Sequence, residues 1–143
     1  MNASDFVGTY KGTGHERVDG NGKVTHLRDP ASERPGRIVY TAEGLVIVVS
    51  TPADRKRLNC KHMAEASDAD LIAAAKGVVA YAGRYEVKGN KVYHHIDVSF
   101  FPNWVGGDNV RDYKFEGKLL ILTTQPDEHG AVERIYWERI ERA

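Results

Sequence analysis

Only one cysteine, Cys60, occurs in 143 residues, which excludes an internal disulfide. The chain also lacks any run near the ~18 consecutive apolar residues that a membrane-spanning helix requires. Its start, Met1-Asn2-Ala3-Ser4-Asp5-Phe6, has no basic segment leading into an apolar one, the mark of a secretory leader. Both absences fit a reducing compartment, so a cytoplasmic location is expected. Charge of one sign is not in excess either: 20 Lys and Arg balance 20 Asp and Glu. Nucleic-acid binding, which needs a basic surplus to displace counterions, is therefore not expected. Near-neutrality leaves little repulsion between copies, so a homodimer is an expectation. Paired CxxC motifs, phosphate-binding glycine loops, HExxH and GxSxG are all missing, and with them the commonest cofactor, metal and nucleophile signatures. No cofactor is implied.

What is present is a succession of short apolar, β-branched and aromatic runs broken by turn residues. Strands are expected at 6–14, 23–27, 37–42, 45–51, 81–88, 91–101, 110–115, 119–124 and 132–140. Asp19-Gly20-Asn21-Gly22, Glu43-Gly44, Gly89-Asn90 and Glu116-Gly117-Lys118 supply tight turns. Residues 28–36, with two prolines, read as a loop. The period changes only once, where Ser67 precedes Asp68 and Asp70 in an N-cap pattern and an alanine-rich stretch follows, predicting a helix over 67–80. Short turns force antiparallel neighbours. Eight or nine such strands in one domain spanning 1–143 predict a closed up-and-down β-barrel with one helical insertion.

Alternate residues of a small barrel face its interior, so register assigns the lining. Along 91–101 the phase Val92, His94, Ile96, Val98, Phe100 is more apolar than Tyr93, His95, Asp97, Ser99, Phe101 and should point inward. Tyr85 and Val87 should face in, as should Arg111, Tyr113 and Phe115, and Ile135, Trp137 and Arg139. A one-residue slip would exchange His94 for His95. An inward arginine is expensive to desolvate unless its hydrogen bonds are accepted, and an inward histidine titrates near neutral pH. His94 is thus either a core histidine bonded to a tyrosine or an acid–base group. Arg111 either closes a salt bridge at a barrel end or holds a carboxylate or enolate.

The segments Tyr81-Ala82-Gly83-Arg84-Tyr85, His94-His95, Pro102-Asn103-Trp104-Val105-Gly106 and Arg111 resemble a family of small lipocalin-like domains found in bacteria and fungi. Gly8-Thr9-Tyr10 and Arg139 are similar to the wider lipocalin pair of a first-strand Gly-x-Trp and a late arginine packed across it, with tyrosine replacing tryptophan. The resemblance implies a calycin-type barrel and an association with small-molecule biosynthesis. It leaves open whether the barrel transports, stores or transforms its ligand.

Two functions are expected of the interior. The first is binding of a small hydrophobic or aromatic molecule, an aromatic or unsaturated carbonyl or carboxylate compound. Tyr40, Tyr85, Ile96, Phe100, Asn103, Trp104 and Trp137 would form the wall and lid. The alternative is a cofactor-independent isomerase, cyclase or dehydratase with His94 as general acid or base and Arg111 and Tyr113 stabilising the developing charge. No metal site is expected, because His95 and Asp97 lack a third ligand at suitable spacing. Cys60, beside Lys56, Arg57 and Lys61, has no histidine partner and reads as an inert thiol. The exterior is not expected to carry a large apolar patch, and a dimer would use the outer Tyr93, His95 and Asp97 face.

Overall fold

The computed structural model describes residues 2–26 and 34–141. Most of the expected 28–36 loop lies outside these residues. Nine strands form in chain order: β1 (Gly8–Val18), β2 (Val24–His26), β3 (Gly36–Tyr40), β4 (Leu45–Ser50), β5 (Val79–Lys88), β6 (Lys91–Ser99), β7 (Asp108–Glu116), β8 (Leu119–Thr124) and β9 (Val132–Arg139). Every pairing is antiparallel. From β3 onward each strand pairs with the next, β1 pairs with both β3 and β9, and β2 flanks the far end of β1. Eight strands thus close a barrel with β2 as an appended hairpin arm, the architecture expected from the turn spacing.

Two helices depart from expectation in an instructive way. Phe6, expected to open the first strand, instead ends a helical turn, α1 (Ala3–Phe6), closed by a capping box. Asn2 accepts from the Ser4 amide and Asp5 reaches back to the Asn2 amide. The turn drives Phe6 into the barrel foot, where it is fully buried. The second helix, α2 (Asp68–Ala75), begins at the expected Ser67 cap but ends at Lys76. Gly77 turns there at positive φ (79°), so Val79 enters β5 rather than continuing the helix. Among the described residues no helix is long and apolar enough to cross a membrane.

The register of β6 holds to Ile96 and then reverses. Val92, His94 and Ile96 are buried, but Val98 is 65% and Phe100 53% exposed. The cause is a bulge: Ala82 pairs with Val98 and Gly83 with Ile96, so Asp97 is the extra residue. Gly83 permits it, because a Cβ there would lie 1.7 Å from the His95 carbonyl oxygen. Phe100 is therefore corrected from cavity wall to outer surface. The exterior expectation is corrected with it. Ile47 and Val49 of β4, exposed at 44% and 48%, sit across Ala82 and Ala80 of β5 from Val98 and Phe100, making an outward apolar ladder.

Candidate functional site

The interior divides into two halves. At the foot, the Phe6 ring meets Tyr40, Tyr113 and Phe115 edge-on at 5.1, 4.9 and 5.1 Å between centroids, and Tyr85 packs on Tyr40 at 4.8 Å. Arg139 closes this end. Its guanidinium lies 4.8 Å over the Tyr10 ring and donates to the Tyr10 hydroxyl and the Val7 and Asp5 carbonyls. Gly8 is required for that approach, since a Cβ would fall 2.4 Å from Arg139 Nη1. The Tyr10–Arg139 pair thus occupies the place the lipocalin resemblance implied.

The other half is a cavity of about 990 Å³, at the upper end of the roughly 300–1,000 Å³ typical of ligand sites. Ile38, Val48 and Leu122 supply apolar wall, and Trp104 packs edge-on against Tyr81 near the rim. Polar groups converge from several strands. Glu16, 5% exposed, pairs with Arg134 at 2.7 Å and accepts from the Tyr136 hydroxyl. Glu133 sits 3.4 Å from His15, which holds its carboxyl below the usual range while burial opposes the shift. Arg34, whose pKa burial lowers, bonds Ser50 and the Gly77 carbonyl. Three groups are left over, one of them the buried His15 Nδ1, which has no hydrogen-bond partner among the described residues. Trp137 Nε1, buried in the wall, has no hydrogen-bond partner among the described residues. Half-buried Arg111 bonds only the carbonyl of its neighbour Val110, at 2.9 Å, with no carboxylate within 4 Å among the described residues.

His94, 1% exposed, is bonded at both ring nitrogens: Nε2 to the Tyr40 hydroxyl and Nδ1 to the Tyr81 hydroxyl, each at 2.7 Å. Burial, reinforced by the nearby guanidinium charge of Arg111, lowers its pKa to about 3. The imidazole is neutral throughout the physiological range. Burial likewise raises the pKa of both tyrosines, so the three-residue chain is uncharged. His95 points outward and pairs with Asp108 at 2.7 Å.

Of the residues singled out in the sequence, His94, Arg111, Trp104 and Trp137 line the cavity. Tyr40 lies behind His94. Tyr85, Ile96 and Tyr113 belong to the packed core outside the cavity wall, their hydroxyls in the two tyrosines bonded to carbonyls of Ala3, Thr41 and Gly89. Asn103 is exposed outside it. Sequence reasoning missed Tyr81, Asn109, Glu16 and Glu133. Asn109 was within reach, because it shares the inward phase of Arg111. The acidic pair was not, since nothing in alternation forecasts a buried carboxylate matched by an arginine on another strand. Among the described residues no three metal-ligating side chains converge.

A profile of lipocalin-like domains matches residues 7–140. A 4'-hydroxy-3'-methoxypropiophenone carrier protein of Aspergillus oryzae is 30% identical over 66 residues, covering 41% of this chain. The chain spans 60% of that protein's length. Among solved structures, a mutant of the fluorescent protein UnaG aligns with a TM-score of 0.44 at 15% identity, covering 95% of this chain and 96% of its own. With its profile matched from the first strand to the last, the chain belongs to the lipocalin-like domain family.

Proposed function

We propose that the barrel binds and carries a small planar molecule of aromatic or unsaturated carbonyl or carboxylate type in its open half. The observation that carries this reading is Arg111: a half-buried guanidinium on the wall of a largely apolar cavity, with no carboxylate within 4 Å among the described residues, although Glu133 on the same wall is near enough to feel its charge. A half-buried cation without an ion-pair partner is incompletely compensated, and an anionic or strongly polar oxygen completes its hydrogen bonding. The unpartnered indole N–H of Trp137 adds a second donor. The A. oryzae relative, named as the carrier of an aromatic ketone, supports the same ligand class.

Holding fits the pocket better than turnover. A general acid or base works best with a pKa near the operating pH and within reach of the substrate. His94 has a pKa of about 3, and both its nitrogens are already engaged by tyrosines. The isomerase, cyclase or dehydratase alternative would need His94 to release one of those bonds. Calorimetric titration with 2-naphthoate and 2-naphthamide tests the binding reading. Wild type should bind naphthoate, and Arg111→Met should weaken it by about 10- to 100-fold, the worth of a charge-assisted hydrogen bond, while sparing the amide. Absence of binding by either compound at millimolar concentration would overturn it.

A further inference from the structure

The proton order of the buried Tyr40–His94–Tyr81 chain follows from counting donors and acceptors. A neutral imidazole has one N–H and one bare nitrogen. Tyr40 is 1% exposed, and its hydroxyl has one partner among the described residues, His94 Nε2. If Nε2 carried the proton, it would donate to the Tyr40 oxygen, and the Tyr40 hydroxyl proton would have no acceptor in a fully buried site. That loss is avoided only when Tyr40 donates to a bare Nε2. His94 then carries its proton on Nδ1 and donates it to the Tyr81 oxygen. The Asn109 side-chain amide reaches the same hydroxyl. With its oxygen accepting from His94, Tyr81 does not spend its own O–H on the histidine; that O–H faces the Asn109 amide or a molecule in the cavity that Tyr81 lines.

We infer that the Tyr40–His94–Tyr81 chain makes Tyr81 a fixed hydrogen-bond donor for a carbonyl or ether oxygen of the bound molecule. His94 is a positioning residue: both its ring nitrogens are engaged by tyrosines, and by donating to the Tyr81 oxygen it cannot accept the Tyr81 O–H. Arg111 and Tyr81 lie on neighbouring parts of one wall, close enough for the guanidinium charge to be felt at the Tyr81 hydroxyl. A ligand carrying an oxygen acceptor on a planar apolar body meets both. This inference rests on the binding reading above and narrows it to ligands that accept a hydrogen bond.

Two measurements test it. Proton–nitrogen NMR of protein labelled at histidine, with the His94 signals assigned by their loss in His94→Gln, should show a protonated Nδ1 and a bare Nε2. The opposite tautomer overturns the inference whatever the protein binds. The second is a matched pair of equal shape, 2-acetylnaphthalene and 2-ethylnaphthalene. Wild type should prefer the ketone by about tenfold, one hydrogen bond's worth, and Tyr81→Phe should abolish the preference by weakening the ketone alone. Equal binding of the two by wild type overturns the inference and leaves the binding reading standing. Failure of both, together with 2-naphthoate, overturns the binding reading and this inference with it.

Discussion

Two arginines mark the difference between the ends of this barrel. Arg139, at the foot, has carbonyl acceptors at Val7 and Asp5, a hydroxyl on Tyr10 and an aromatic face beneath it. Arg111, in the open half, has one carbonyl. The aromatic residues divide in the same way. Tyr10, Tyr85 and Tyr113 each place the hydroxyl on a protein carbonyl, whereas the indole N–H of Trp137 has no partner among the described residues. Saturated polar groups rigidify a core. Unsaturated ones facing a cavity mark where a ligand's atoms complete the set.

The largest break in this comparison should come from the plug. Phe6→Ala removes a fully buried ring ringed by four aromatic neighbours and should cost about 3–5 kcal/mol in urea denaturation. A loss below about 1 kcal/mol would show that the foot does not anchor the fold. Acid should come next. The unfolded chain binds a proton at His94 near pH 6.5, whereas the folded chain refuses it until about pH 3. The contribution of His94 is therefore complete above pH 6.5 and is lost as pH falls toward 3, by up to about 1.4 kcal/mol per pH unit. Stability measured from pH 7 to pH 4.5 should flatten in His94→Gln, and an unchanged slope would count against a neutral buried imidazole.

The arginines themselves sharpen the contrast. Arg139→Met should destabilise by about 2 kcal/mol, since it strands the carbonyls and the Tyr10 hydroxyl. Arg111→Met should change stability by less than about 1 kcal/mol, because it breaks no pair and removes a poorly compensated charge. Thermal melts of the two variants side by side would decide it, and equal losses would erase the distinction between the ends.

Much of this was legible in the residues, for identifiable reasons. Tight turns at Glu43-Gly44, Gly89-Asn90 and Glu116-Gly117-Lys118 set the order of pairing, and alternation put His94 and Arg111 inside. Alternation reports a face, however, and not a height along the barrel. Tyr85 and Tyr113 share the inward phase of the cavity wall yet sit in the plugged half, because which end a residue serves depends on what packs beside it. Here that is Phe6, whose helical turn no strand pattern foretells. Phe100 was lost to the Asp97 bulge, and the local sign of that was Gly83 inside a predicted strand. Tyr81, two inward steps from Tyr85, shares its phase and was legible from alternation, but its role was not, because that depends on the bond to His94 across the strand pair.

The most direct test of the account is a crystal structure of the protein soaked to saturation with 2-naphthoate. The naphthalene ring should lie in the open half between Trp104 and the apolar wall of Ile38 and Val48, with its carboxylate in hydrogen-bond contact with Arg111. A cavity free of naphthoate at saturation, or a carboxylate turned away from Arg111 toward solvent, would contradict it.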